Sequence, residues 1–242
     1  MRKQILYYAL KYEGDYHKIK NAILKEEPWF ECHYEGQYVT IVDEHYPNKL
    51  RQLQCAPWIL FYQGNIKLLQ ERGIAIVGGR EHSKYGADMC KHVVGQLKHR
   101  YVIVSGLAKG IDAIAHQSAL DHQTIAVLGC GIDTYYPYEN KILQEKIAKT
   151  HLLLSEYPGH VRPFASHFPW RNRILAALSE GVVVIEAKVK SGTLRTVEYG
   201  LELGLPIYCI PHCFDNPLGQ GGNVLIAQGA YILAEEGDLN LI

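Results

Sequence analysis

Short apolar runs alternate with helical patterns along most of this chain. Continuous apolar runs of this length are typical of parallel strands that are buried on both faces. Segments with helical spacing separate several of them, which predicts an α/β fold, a parallel sheet with helices on both faces. The predicted strands are Ile74–Val77, Tyr101–Val104, Ile125–Leu128, Leu152–Leu154, Val182–Ile185, Ile207–Ile210 and Tyr231–Leu233.

The start of the chain follows a different pattern. Ile5–Tyr12 and Tyr16–Leu24 carry apolar residues at helical spacing, and the Gly-Asp pair between them predicts a short helical hairpin. A strand is predicted over Tyr38–Val42, and an extended segment follows it. We therefore expect a small N-terminal helical domain with a lead-in strand over residues 1–64, and a main domain over residues 65–242.

The composition narrows the compartment and the class of partner. No run approaches the roughly 18 consecutive apolar residues of a membrane helix. The first residues carry no signal-peptide pattern, so we expect a cytoplasmic protein without a membrane partner. The 6 cysteines are scattered as reduced thiols are. Because the formal net charge is +0, a nucleic-acid partner would need a local basic patch.

The most heavily specified segment is Ser105–Leu120, which opens a helix directly after a predicted strand. Gly106 and Gly110 permit tight backbone geometry at the carboxyl end of that strand, where open α/β sheets bind ligands. The first amides of the helix can face an anion. Asp112 and His116 lie four residues apart and share one face of the helix.

Glycines and an arginine follow the first strand of the main domain. Gly78 and Gly79 would let backbone amides approach a phosphate, and Arg80 could grip it with two hydrogen bonds. A tight turn with a solvated arginine explains the same spacing equally well. After the fifth strand of this domain, Ser191 or Thr193 could cap a helix whose amides face a phosphate, or merely cap it.

A basic cluster lies at the start of another predicted helix. Arg171, Asn172 and Arg173 concentrate hydrogen-bond donors there, beside Phe168 and Trp170. The aromatic neighbours favour an anion or nucleotide platform over ordinary surface charges.

Tyrosines follow the third strand of the main domain, in the segment Tyr135–Lys141. Aromatics beside a lysine suit base stacking with a phosphate contact. The alternative, a packed loop whose tyrosines cover the sheet edge, is the favoured interpretation for the tyrosines themselves. The preceding Gly129–Thr134 resembles the start of a dinucleotide fingerprint but lacks its third glycine.

Metal and nucleophile chemistry have weak support in the sequence. Cys209, His212 and Cys213 could ligate a metal, but no second Cys/His pair stands at zinc spacing, so we predict no metal site. We expect Cys209 in a buried strand. No serine occupies a G-x-S-x-G elbow.

The ordered set of these segments resembles the DNA-processing protein A family, DprA (also called Smf). Each motif alone is weak, but their order is specific, and the resemblance covers roughly residues 40–235. The matching segments are Tyr46-Pro47, Leu60–Asn65, Ile76–Gly86, Ser105–Leu120, Ala126–Asn140, Ser155–Pro158, Phe168–Arg173, Lys190–Thr193 and Asn223–Ala230.

The resemblance implies an extended Rossmann-like domain that binds single-stranded DNA without catalysis or cofactor. It implies a role in natural transformation (competence), in which the protein protects incoming strands and loads the RecA recombinase for DNA recombination. The DNA-binding residues it implies are Gly78, Gly79, Arg80, Ser83, Lys109, Lys141, Arg171, Asn172, Arg173, Ser191 and Gly192. A homodimer and RecA contact is implied near Val224, Leu225, Ile226, Ile232 and Leu233.

Departures from the family pattern are local. Gly79 replaces the serine of the usual G-S-R, and Cys209–Gly222 replaces a shorter proline-glycine turn. The usual proline pair is reduced to Pro158-Gly159, and we expect no winged-helix-like module after the sheet.

A nucleotide-hydrolysing enzyme is the alternative function. Rossmann-like phosphoribohydrolases carry a P-G-G-x-G-T-x-x-E pattern, which Lys190–Glu198 matches only in part. Glu198 is present, but the paired glycines are not.

Overall fold

Nine strands form one sheet in the computed structural model, which describes residues 1–242. They are β1 (Gln37–Thr40), β2 (Ile59–Gly64), β3 (Gly73–Val77), β4 (Val102–Ser105), β5 (Thr124–Val127), β6 (Leu152–Ser155), β7 (Val182–Val184), β8 (Ile207–Cys209) and β9 (Tyr231–Ile232). Their order across the sheet is β1-β2-β6-β5-β4-β3-β7-β8-β9. All pairs from β6 to β9 are parallel, which confirms the predicted Rossmann-like sheet.

Helices cover both faces of the sheet, as predicted. The α-helices are α1 (Arg2–Lys11), α2 (Tyr16–Leu24), α3 (Asn48–Arg51), α4 (Lys84–Leu97), α5 (Ile111–Ser118), α6 (Lys141–Thr150), α7 (His167–Ala177), α8 (Thr193–Glu202) and α9 (Gln220–Ala227). Short 3₁₀ helices span Ile66–Gln70, Tyr138–Asn140 and Glu236–Leu241. None of the helices combines the length and the apolarity that crossing a membrane requires.

The N-terminal hairpin consists of α1 and α2, as predicted. Asp15 caps α2, since its carboxylate accepts a hydrogen bond of 3.0 Å from the backbone amide of Lys18. Gly14 has a φ of +79°, and a Cβ there would overlap the carbonyl oxygen of Glu156, at the end of β6. The turn between the two helices therefore needs glycine both for its φ and for its close approach to the sheet.

The strands that precede residue 65 belong to the same sheet as the rest. β2 runs antiparallel to β6, with Phe61 opposite Ser155, and β1 runs antiparallel to β2. The first 64 residues thus contribute a helical hairpin and two edge strands. The division of the chain into two domains at this position stays a prediction.

Strand β3 shows why the apolar runs are continuous. Successive side chains of a strand point to opposite faces of the sheet. Ile74 and Ile76 pack on the face covered by α4 and α5, whereas Ala75 and Val77 pack on the opposite face, beneath α8. All residues of β3 are buried because neither face is open to water.

Candidate functional site

A cleft of about 440 Å³ opens at the carboxyl end of the sheet, between the loops that follow β3, β4 and β7. The chain passes from β3 to β4, β5 and β6 on one side, whereas β7, β8 and β9 extend the sheet on the other. Loops that diverge at such a reversal leave a crevice, which is where open α/β sheets bind ligands. The cleft brings together the predicted residues Gly78, Gly79, Arg80, Arg171, Asn172, Ser191 and Gly192.

The turn Gly78–Arg80 is fixed by hydrogen bonds of its own backbone. The amide of Gly79 donates to the carbonyl of Glu186 at 2.7 Å, and the carbonyl of Gly79 accepts from the amide of Ile111 at 3.2 Å. The hydroxyl of Thr193 donates to the carbonyl of Gly78 at 2.9 Å. The backbone of the turn is therefore held by the segments after β4 and β7. These bonds do not use the side chain of Arg80, which remains available to a ligand.

Arg80 is an exposed cation of the cleft that has no carboxylate partner. Its guanidinium carbon lies 5.6 Å from the centroid of the Phe168 ring, and no carboxylate lies within salt-bridge distance. By contrast, Lys188 on the opposite wall pairs with Glu81 at 2.6 Å. An arginine held over an aromatic ring presents its remaining donors to an anionic ligand in the cleft.

Gly110, at the start of α5, packs directly against the backbone of the turn Gly78–Arg80. It has a φ of +77°, and a Cβ there would overlap the carbonyl oxygens of Gly79 and Arg80. Gly204 has a similar φ of +71° but no atom within 4 Å of the Cβ position. We expect Gly110→Ala to lower the free energy of unfolding by clearly more than Gly204→Ala, whose loss should be about 1–2 kcal/mol from backbone strain alone. Urea unfolding of both variants measures the difference, and equal losses would show that the turn accommodates the extra atom.

Arg171 forms the floor of the cleft and has little exposed surface. Its guanidinium donates to the carbonyls of Gly106 (2.8 Å) and Val127 and to the side chain of Asn172 (3.1 Å). Burial lowers the pKa of Arg171 to about 10. A Cβ on residue 106 would overlap this guanidinium, so Gly106 leaves the room that the buried Arg171 side chain occupies. Arg171 therefore ties the ends of β4 and β5 together beneath the ligand space.

The two polar residues predicted to share one face of α5, Asp112 and His116, are both buried. Asp112 lines the cleft but is buried, and burial raises the pKa of its carboxyl group. His116 is completely buried, with Nδ1 2.7 Å from the hydroxyl of Thr124, whose own hydrogen is donated to Ile103. Nδ1 therefore carries the imidazole hydrogen. Burial lowers the pKa of His116 to about 3, so the ring is neutral at pH 7. It packs in the core and does not face the cleft.

The structure corrects the prediction for Arg173. Its side chain is 2% exposed, and its guanidinium forms a two-pronged ion pair with the buried carboxylate of Glu156, at 2.5 and 2.6 Å. A third nitrogen donates to the carbonyl of Cys55 at 3.0 Å. Since Arg173 does not line the cleft, its charge holds α7 to the end of β6 and to the N-terminal region rather than extending a basic groove.

Ser83 also lies outside the cleft lining. Its hydroxyl oxygen accepts from the amide of Gly86 at 3.0 Å, which caps α4, and its hydroxyl hydrogen goes to Glu186 at 2.7 Å. Both capacities of the hydroxyl are thus engaged within the protein, and the predicted DNA contact at Ser83 is not supported by this placement.

Glu186 is a residue that the sequence reasoning missed. Its carboxylate is fully buried at the end of β7 and accepts from the amide and hydroxyl of Ser83, both at 2.7 Å, and from Asn216 at 3.1 Å. It therefore joins the start of α4 to the loop before α9. His212 of that loop lies 3.6 Å from the same carboxylate. A single acid after an apolar run carries no sequence signal that could have revealed this network.

The predicted Lys109 and Lys141 lie beyond the cleft on one side. Lys109, Arg80, Phe168 and Tyr136 line a smaller recess that adjoins it, and Lys109 pairs with Glu139. Lys141 borders neither cavity among its lining residues. The nearby Tyr135, Tyr136 and Tyr138 are 40%, 39% and 73% exposed, which disfavours the interpretation of them as a packed cover for the sheet edge.

The loop that carries these residues, Tyr135–Asn140, is here called the tyrosine loop, and Asn140 holds it in place. The side-chain amide of Asn140 is buried and donates to the carbonyls of Leu107 and Ala108 at 3.0 and 3.2 Å. These bonds anchor the loop to the segment after β4.

Comparison with known proteins places the chain in a family. A family model described as DNA recombination-mediator protein A matches residues 37–240. The chain belongs to this family. The DNA-processing protein A resemblance noted in the sequence is thereby confirmed. The first 36 residues, which include the helical hairpin, precede the match.

Relatives of the DNA recombination-mediator protein A family cover most of the chain. DNA processing protein DprA of Streptococcus pneumoniae is 45% identical over 202 residues, which are 83% of this chain and 72% of that protein. The chain spans 66%, 53% and 52% of the length of three further curated relatives.

Solved structures of DNA processing protein A share the fold. The X-ray structure from Streptococcus pneumoniae matches with a TM-score of 0.84 and 38% identity, over 100% of this chain and 93% of the other. The protein from Helicobacter pylori, whose structure was described for its unique single-stranded DNA binding mode, matches with a TM-score of 0.77 and 32% identity. That match covers 86% of this chain and 96% of the other.

The segments that the family resemblance links to self-association lie at the β9 edge. Val224 and Ile232 are exposed, and Leu225 and Ile226 are half-buried against the sheet. Leu233 is buried in the core between the sheet and α4, so the structure corrects its assignment to a contact surface. Cys209 lies buried in β8, as predicted.

The carboxylate that a phosphoribohydrolase would need, on Glu198, lies outside the cleft. Glu198 is exposed on α8, pairs with Arg195 at 2.5 Å and does not line the cleft. A carboxylate must reach the sugar of a nucleotide to act on it. Nothing in the geometry favours the phosphoribohydrolase alternative.

Proposed function

We propose that this chain binds single-stranded DNA in the cleft between the loops after β3 and β7, and that it does so without catalysing a reaction. The observation that carries the proposal is Arg80, an exposed arginine without a carboxylate partner on a rigid glycine turn at the reversal of the sheet. Family membership and the DNA-binding relative from Helicobacter pylori support the same ligand.

The cleft is suited to a phosphate backbone rather than to a particular base sequence. The Arg80 guanidinium recognises phosphate oxygens, which are the same in every nucleotide. The formal net charge of +0 leaves this local charge to supply the attraction. We therefore expect binding that tolerates any sequence and weakens as salt rises, because each phosphate contact releases condensed counterions.

Fluorescence anisotropy of labelled oligo-dT, titrated with the protein at two salt concentrations, tests this proposal. We expect binding at low salt, a lower affinity at high salt, and equal competition by unlabelled strands of other sequences. No binding at low salt would overturn the proposal, and so would a strong preference for one sequence.

We propose the finer role on family grounds. In this role the chain is cytoplasmic, acts in natural transformation, protects incoming strands and loads the RecA recombinase onto them as a homodimer joined near α9 and β9. Nuclease protection of bound strands and the rate of RecA filament assembly test the two activities separately. Strands that stay sensitive to nuclease, or an unchanged assembly rate, would refute the corresponding part.

A further inference from the structure

Three tyrosines on the loop after β5 are exposed beside the cleft. Tyr138 is 73% exposed, and Tyr135 and Tyr136 are 40% and 39% exposed. Large aromatic side chains gain stability when they are buried, so a folded chain that leaves three neighbours in water has a surface available for a partner. The loop is already ordered without a ligand, since Asn140 anchors it through two hydrogen bonds.

Contacts between side chains connect the tyrosine loop to the turn Gly78–Arg80. Tyr136 lies 5.4 Å from Phe168 between ring centroids, and Phe168 in turn lies under the Arg80 guanidinium. Tyr136, Phe168 and Arg80 line one recess. A strand whose phosphate is held at Arg80 therefore meets Phe168 and Tyr136 next, and Tyr135 and Tyr138 farther along the same loop.

Lys141 supplies positive charge among these rings. Its amine lies 4.8 Å from the centroid of the Tyr135 ring and 5.8 Å from that of Tyr138. Its closest carboxylate, on Glu145, is 3.9 Å away, and the neighbouring Glu139 is already engaged by Lys109. The acidic side chains of the loop are thus balanced by lysines, and Lys141 can still reach a phosphate.

We propose that Tyr135, Tyr136 and Tyr138 form a stacking platform for the bases of a single strand that leaves the Arg80 cleft along this loop, with Lys141 contacting a phosphate. The inference rests on the proposed function and extends it beyond the cleft. Aromatic rings interleaved with cations are how proteins hold single strands without regard to sequence, since every base has a π face. A protein partner or a second copy of this chain would not require the alignment with Arg80 and Phe168.

The test compares Tyr138→Ala and Tyr138→Phe in binding to labelled oligo-dT of about 20 nucleotides, a length that exceeds the roughly 4–16 nucleotides of a single binding fold. We expect Tyr138→Ala to weaken binding roughly fivefold and Tyr138→Phe to retain it, because the ring and not the hydroxyl stacks. Phe30→Ala is the matched control, since Phe30 is 69% exposed and lines neither cavity. It should bind like the wild type.

Photocrosslinking with 5-iododeoxyuridine in the same strand gives a second readout, and the crosslinked peptide should contain the tyrosine loop. Wild-type affinity in Tyr138→Ala, under conditions where Arg80→Ala binds weakly, would overturn the platform and leave the proposed function standing. Unchanged DNA affinity with altered sedimentation of Tyr138→Ala would assign the loop to self-association, and also overturns it. A wild type that binds no strand at all would overturn the proposed function, and the platform with it.

Discussion

Replacing Arg173 with alanine is expected to lower the free energy of unfolding by about 3–5 kcal/mol, because the Glu156 carboxylate is then left buried without its cation. Both side chains are almost inaccessible, at 2% and 5% exposure, so water cannot take the place of the guanidinium. The carbonyl of Cys55 loses its donor as well. For a chain of this size, the melting temperature should fall by roughly 10 °C.

Chemical and thermal unfolding measure this loss, with Arg80→Ala as the matched control. Arg80 is exposed and has no acidic partner, so its removal should change stability by about 0.5 kcal/mol at most. A stable Arg173→Ala variant that had lost only its affinity for DNA would contradict the buried ion pair. It would return Arg173 to a DNA groove.

Arg80→Ala should weaken binding of single-stranded DNA about tenfold or more at moderate salt, by a similar factor for every sequence. It should also reduce the slope of log affinity against log salt concentration by about 1, because one phosphate contact is lost. A guanidinium can hold a phosphate through two charge-assisted hydrogen bonds, which are stronger than ordinary ones, so we expect the loss to be large. Anisotropy titrations over a range of salt concentrations give both quantities.

Two further variants sharpen this result. Arg80→Lys keeps the charge but not the planar fork, so we expect an affinity between those of the wild type and Arg80→Ala. Arg195→Ala removes an arginine that pairs with Glu198 on α8, outside the cleft, and should leave binding unchanged. If Arg195→Ala and Arg80→Ala lost affinity equally, general charge and not the cleft would control binding.

The central strands could be predicted because the local pattern and the final environment agree. Ile74–Val77 reads as a strand buried on both faces, and the structure buries it under helices on both sides. The glycine turn after it could be predicted as part of a cleft, since ligands of open α/β sheets bind at the carboxyl ends of the strands. Residues 78–80 directly follow a predicted strand, and that position alone predicts that they line the cleft.

The arginines show where sequence reasoning stops. Arg80 and Arg173 both follow segments that suit an anion site, yet one is exposed and the other is among the most deeply buried side chains. What separates them is Glu156, together with the carbonyl of Cys55, which is 118 residues away along the chain. Contacts at such separation depend on how the sheet is assembled, and no local pattern encodes them.

The exposure of the tyrosine loop could not be predicted from the sequence for a related reason. Aromatic residues near a sheet edge usually bury their rings, which favours a cover for the edge. Asn140 instead anchors the loop with a buried amide, while Tyr138 stays mostly exposed. A polar anchor of this kind becomes visible only when its carbonyl partners are located.

The hydrogen bond from Thr193 to Gly78 spans 115 residues of sequence and joins the two wings of the sheet across the cleft. Neither wing contains the site alone, because Arg80 follows β3 and the opposite wall follows β7. A ligand held there binds the complete fold and not the unfolded chain, so at 100 times its Kd it adds about 2.7 kcal/mol to the free energy of unfolding. Occupancy of the cleft therefore raises the stability of both halves of the sheet together.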